Sequence, residues 1–316
     1  MPVLEGPAVV VLHAADQDLE VLLHACGQAP SRIFDTQLAG GFLGWSQPSL
    51  VNLLRDRLAV RLPKGDRLTD WLRRPLTAKQ LEYAAADVEH LLRLQDDLAD
   101  ELERRGRTSW LEEECEELQR RVTRERRPED AWHRLRHARR LRGRSAGIAS
   151  EVAAWRDRTA RRLNRPVARI LPDLALIAIA QAAPRTTADL RRVRGIDGRH
   201  LKGPAAHEIL EAVERGAELR PRPPVDDAPV PAQLRPAVAL ISAWIAEQAR
   251  AMDVDAPLLA TRADLEALVR GDTDCRLTRG WRAEVVREPI RGLLDGELAL
   301  AFDQQRGLVL EQRDER

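Results

Sequence analysis

The chain has 316 residues, 44% hydrophobic, 32% charged and 3% aromatic, with a formal net charge of +1. This length predicts two to three domains, and so few aromatics require cores built from Leu, Ala and Val. No apolar run reaches the ~20 residues that cross a bilayer. No signal peptide opens the chain, and Cys26, Cys115 and Cys275 lack zinc spacing. Membrane, secreted and zinc-finger classes are therefore set aside for a reducing cytoplasm.

Residues 8–13 are a β-branched run and read as a buried strand. Residues 16–25 follow as a helix with Leu19, Leu22 and Leu23 on one face. Residues 33–35 read as a second short strand, with a helix beginning at Leu38 and another over 49–57 under a Ser49 cap. Thr77 caps an alanine-rich helix that carries the single tyrosine, Tyr83, and Asp87 one turn later. Residues i and i+4 share a helix face, so phenol and carboxylate look the same way. Such a pair suits metal-dependent hydrolysis if the acid holds an ion and the phenol positions a water. It also suits an amphipathic helix with a snorkelling tyrosine. Helix is expected to continue from Asp87 to Arg105, with Trp71 in the core before it, and Arg73 and Arg74 free to pair with acids or with a polyanion. Strands separated by helices predict an α/β layer.

A charged helix is expected from Trp110 to Arg127, acidic at 112–117 and then basic. Arginines greatly outnumber acids between 120 and 169, and Arg136, Arg139, Arg140, Arg158, Arg161 and Arg162 are candidate phosphate contacts, as is Lys64. The asymmetry suggests a polyanion partner, against the alternative of a solvated helix face. Residues 131–216 read as helices only, with Trp132 and Leu135 in one stripe, Ile148, Val152 and Trp155 in another, and Thr187 opening a short helix. Prolines make 220–231 a linker. Residues 232–316 read as a second all-helical segment with Trp244 and Trp281 in its core. The expected divisions are 1–127, 128–219, 220–231 and 232–316.

Three segments, 9–22, 33–39 and 69–87, resemble ribonuclease D in order and spacing, and residues 131–216 are similar to the HRDC bundle that follows its exonuclease domain. The resemblance implies an α/β exonuclease domain of ribonuclease H-like fold followed by all-α helical bundles. It also implies a 3′-to-5′ exoribonuclease of the DEDD type that trims RNA 3′ ends, such as those of tRNA precursors, with two divalent ions, Mg²⁺ or Mn²⁺. By position, Asp18 is the second-motif acid and metal ligand, Asp87 the third-motif acid and metal ligand, and Tyr83 the water-orienting residue. Asp18 could otherwise cap its helix, and His13 is expected to pack or cap. The family's first motif, Asp-x-Glu on an early strand, is missing, which leaves the domain incomplete at its N-terminus and lacking two of four metal-binding acids. Asp35-Thr36-Gln37 is no substitute, because Gln is not a carboxylate. The expectation is a late or lost start. The partner is RNA, with DNA as a second candidate, bound by a monomer without zinc or membrane. The alternative is a nucleic-acid-binding HRDC protein that does not cut. A helicase is excluded because no G-x-x-x-x-G-K-[ST] phosphate loop exists.

Overall fold

The computed structural model describes residue 4 and residues 6–62, 69–124, 128–135, 141–198, 200–201, 203–221 and 230–313. The chain forms two compact units, Met1–Arg124 together with Val230–Arg316, and Glu125–Pro229.

Unit 1 opens with β1 (Val10–Leu12), α1 (Asp16–Cys26) and β2 (Ile33–Asp35). The strands pair in parallel, Val11 opposite Phe34, which is the product of a strand–helix–strand crossover. Among the described residues β1 has one strand neighbour. Helices α2 (Thr36–Phe42), α3 (Leu50–Leu58), α4 (Ala78–Glu89), α5 (Leu91–Arg104) and α6 (Thr108–Thr123) follow. Ser49 caps α3 through the Asn52 amide. Thr77 and Gln80 form a reciprocal capping box on α4. The helix expected to run on from Asp87 breaks at His90, whose φ of −107° and ψ of 2° separate α4 from α5. Leu91, Leu94, Leu98 and Leu102 of α5, at a spacing of three or four residues, bury one continuous stripe.

Unit 2 contains a 3₁₀ turn over Pro128–Arg134, α7 (Gly143–Leu163), α8 (Val167–Ile170), α9 (Asp173–Ala182), α10 (Thr187–Arg191) and α11 (Ala205–Glu218). The cap of α10 is Thr186, one residue before the expected Thr187, because its hydroxyl accepts the Asp189 amide. Helices α7 and α11 touch backbone to backbone: a Cβ on Gly216 would lie 2.6 Å from Ile148 Cα, and one on Gly147 would meet the carbonyls of Gly216 and Leu219. Trp132, Ile148, Val152 and Trp155 are buried in this unit's own core.

Residues after Val230 do not stand apart from 1–124. Helices α12 (Arg235–Met252), α13 (Ala256–Leu259), α14 (Arg262–Val269) and α15 (Glu288–Asp295) share one core with α2, α5 and α6. Trp281 stacks on Trp110 of α6 at 4.7 Å, and both meet Phe42 edge-on. Arg107 donates to the carbonyls of Phe42, Met252 and Asp253, satisfying the C-terminal ends of α2 and α12 together. Buried Glu114 of α6 pairs with Arg282 and accepts from Trp281 Nε1 at 3.3 Å and Arg276 at 3.4 Å.

The all-helical expectation for 232–316 fails at its end, where β3 (Leu298–Asp303) and β4 (Gly307–Gln312) form an antiparallel hairpin. Leu298 and Leu300, paired with Gln312 and Leu310, turn one alternating apolar face to the core. Gly307 at φ 78° and Asp303, which accepts from the Gln305 and Arg306 amides, close the turn. The three cysteines are free thiols. No helix among the described residues is long and apolar enough to cross a membrane.

Candidate active site

Asp35 sits at the end of β2, 2% exposed, and accepts hydrogen bonds from both neighbouring elements. The amides of Ala14 (3.1 Å) and Ala15 (2.8 Å) reach it from the turn that starts α1. Those of Gln37 (2.8 Å) and Leu38 (3.4 Å) reach it from the first turn of α2. One carboxylate therefore fixes the turn between β1 and α1, where Ala14 adopts a left-handed φ of 56°. Thr36, fully buried, donates its hydroxyl to the Leu12 carbonyl at 3.1 Å and lies 2.9 Å from His13 Nδ1.

Asp18 stands in the first turn of α1, solvent-facing, and does not cap it: the cap residue is Ala15, with no side-chain bond. Asp16 is drawn off by Arg121 at 2.7 Å. Partial burial and the charge of Asp35 push the Asp18 carboxyl above its ordinary range. On α4, Tyr83 and Asp87 stand one turn apart on the same face. Burial raises the Asp87 carboxyl, against the neighbouring Tyr83 phenol and the charge of His13. Burial lowers His13, against Asp35, the Pro48 carbonyl and Asp87. His13 thus links the turn that carries Asp18 to the helix that carries Asp87 and Tyr83. Trp71, expected in the core, is half-buried with its ring 5.8 Å from Tyr83, because the loop before α4 folds over that tyrosine.

Asp18 and Asp87 are carboxyls held above their usual range, and hard oxygen donors of this kind suit Mg²⁺ or Mn²⁺. A two-ion centre requires more ligands. Among the described residues no group of three or more His, Cys, Asp or Glu is placed to hold a metal, so these residues alone do not fit such a centre.

Lys64, Arg136, Arg139 and Arg140 lie outside the described residues. On α7, Arg158, Arg161 and Arg162 are exposed beside Glu129 (4.0 Å), Asp157 (2.9 Å) and Glu208 (3.7 Å). The Arg158–Glu129 pair is exposed and weak, whereas Arg161 pairs with the buried Asp157. Arg74, left open between acid and polyanion, bonds instead to the Trp71 and Arg73 carbonyls. The organising role of Asp35 was missed in the sequence, although an Asp between a strand and a helix start carries the signature of an N-cap.

The 3′-5′ exonuclease family matches residues 1–103, and the HRDC domain family matches 145–213. A ribonuclease D of Nitrobacter hamburgensis is 37% identical over 306 residues, which are 96% of this chain and 80% of that protein. One from Jannaschia sp. is 38% identical over 96% of this chain and 79% of its own length. The crystal structure of Escherichia coli RNase D, described as an exoribonuclease involved in structured RNA processing, superposes with a TM-score of 0.78 at 30% identity. That match covers 91% of this chain and 79% of the other.

Proposed function

The chain belongs to the ribonuclease D family, and from that premise we propose that it is a 3′-to-5′ exoribonuclease trimming RNA 3′ ends, such as those of tRNA precursors, in the cytoplasm. Asp18, Tyr83 and Asp87 carry the reaction, and the HRDC unit holds the RNA through exposed arginines of α7.

One observation carries the reading. Tyr83 and Asp87 stand one turn apart on one face of α4, and His13, from the turn that presents Asp18, lies near enough to Asp87 for their charges to interact. Two separate sequence segments thereby bring together two carboxyls and a phenol. Asp18 and Asp87 are the ligands these residues offer a divalent ion, and the Tyr83 hydroxyl is the group available to orient a water. His13, held beside Thr36 at 2.9 Å, positions rather than reacts.

The test is a Mn²⁺-dependent assay on 5′-labelled RNA with a free 3′ end, comparing the chain with Asp87→Ala. A shortening ladder that disappears in the variant supports the reading. The absence of a group of three metal-binding side chains among the described residues favours a second reading, a nucleic-acid-binding protein that does not cut. RNA retention without a ladder would select it.

A further inference from the structure

Helix α7 buries a mostly apolar face and sets one carboxylate in it. Asp157 is 7% exposed. Its neighbour Arg156 is turned to the Leu171 carbonyl (3.0 Å) and to Asp173 (2.6 Å). Among the described residues the ionic partners of Asp157 are instead two exposed arginines. Arg134, at the end of the 3₁₀ turn, donates to Oδ1 at 3.4 Å. Arg161, one turn further along α7, brings a guanidinium nitrogen to 2.9 Å from Oδ2.

Buried polar atoms are nearly always hydrogen-bonded, as Asp35 is by four amides. Asp157 is not: among the described residues Oδ2 is buried without an aligned hydrogen bond. A buried charge held in this way is a poor source of stability. Nor does the 3₁₀ turn need it for its seat, because Trp132 is buried in the core and Ser150 donates to the Glu129 carbonyl at 3.1 Å. What Asp157 fixes is the direction of two guanidiniums. Without it their like charges repel and their long side chains regain rotamer freedom. With it, one from the turn and one from the helix meet at the same carboxylate, each side chain about half exposed.

This step rests on the reading above that unit 2 holds RNA. We propose that Asp157 is a positioning residue of that unit, bracing Arg134 and Arg161 as one fork for a backbone phosphate. Guanidiniums match phosphate oxygens in pairs, and such a contact carries no base identity. Charge counting gives the opposite expectation: an acid beside two arginines repels RNA, so its removal tightens binding. The brace reverses that sign, because arginines fixed in advance lose less entropy on binding than arginines that must first be ordered.

The test uses the full chain in EDTA, where binding is measured without hydrolysis, and follows the anisotropy of a 5′-fluorescein single-stranded RNA. Every variant is measured at a temperature where circular dichroism shows it folded. Asp157→Asn removes a negative charge, yet weakens binding roughly fivefold or more and lowers the slope of log affinity against log salt by about one. Glu129→Gln, which removes an exposed acid 4.0 Å from Arg158, tightens binding slightly. Arg134→Ala/Arg161→Ala weakens binding, and adding Asp157→Asn to it weakens binding no further. A general loosening of unit 2 would instead weaken binding in both backgrounds. Tighter or unchanged binding in Asp157→Asn overturns the proposal, as does an equal loss in the two backgrounds. If the arginine pair weakens binding while Asp157→Asn does not, the RNA-holding reading stands and the brace alone is lost. If neither Arg134→Ala/Arg161→Ala nor Arg158→Ala/Arg162→Ala changes affinity, the RNA-holding reading falls with it.

Discussion

Replacing Asp35 with alanine removes the acceptor shared by four backbone amides. A buried donor left without a partner costs about 1–3 kcal/mol. The penalty is not uniform here. Ala15 is fully buried, so its amide bears the whole of it, whereas Ala14 is exposed and Gln37 half-buried, and water recovers much of their loss. The Leu38 contact at 3.4 Å is weak and adds little. The Gln37 and Leu38 bonds together are the α2 cap and count once, at about 1 kcal/mol. With the Ala15 amide the sum is about 2–4 kcal/mol, a large fraction of a domain's ~5–15 kcal/mol. It lowers the melting midpoint of unit 1 by on the order of 10 °C. Asp35→Asn keeps one acceptor oxygen and loses about half as much as the alanine variant. The assay is urea unfolding followed by near-ultraviolet circular dichroism in a background where Trp132 and Trp155 of unit 2 are replaced by phenylalanine, so that the stacked Trp110 and Trp281 report on unit 1. A loss below about 1 kcal/mol for Asp35→Ala, with an unchanged urea slope, would refute the reasoning that this carboxylate organises the turn.

Tyr83→Phe keeps the ring contact with Trp71 and loses only the hydroxyl beside Asp87; cleavage should fall about 100-fold with the melt almost unmoved, measured by the ladder assay beside calorimetry. Glu114→Ala strands the buried Arg282 guanidinium and should destabilise unit 1 by about 3–5 kcal/mol in the same urea experiment. Burial alone would raise Glu114, but Arg282, Arg276 and Trp281 together hold it below its ordinary value. Its contribution is therefore fully present above the unfolded carboxylate pKa of ~4.5 and is lost as pH falls through the lower folded value. A series of melts from neutral to acid pH should show this acid loss shrink in Glu114→Gln. Gly216→Ala forces α7 and α11 apart and should lower unit 2 stability by about 1–3 kcal/mol or more, with the Trp110 and Trp281 signal unaffected.

Short-range chemistry was the legible part. Thr77 announces an N-cap, and the cap is there, completed by Gln80. Tyr83 and Asp87 one turn apart announce a shared face, and both lie on α4 one turn apart. Glu114 was not read, because a run of acids at 112–117 looks like a solvated face. Its placement with Leu111, Leu118 and Val122 on one helical stripe was the available signal. The β3–β4 hairpin was hidden by its alanines, which favour helix locally, while its Leu-Ala alternation is short. Least legible was the union of residues 230–316 with 1–124. Apolar faces record that they are buried but not against what, and partners far apart in the chain leave no local pattern.

That union has a consequence for how the protein is made. More than a hundred residues, Glu125–Pro229, separate the two stretches that complete unit 1. Domains fold as units while the chain emerges from the ribosome. Unit 2 is contiguous and can finish early. The stretch that carries Asp18, Tyr83 and Asp87 must wait, with Trp110 and Glu114 uncovered, until Trp281 and Arg282 have been translated. A message broken between the codons for Pro229 and Trp281 yields a polypeptide with a finished unit 2 and an unfinished unit 1. Synthesis order itself thus delays completion of the stretch that carries Asp18, Tyr83 and Asp87.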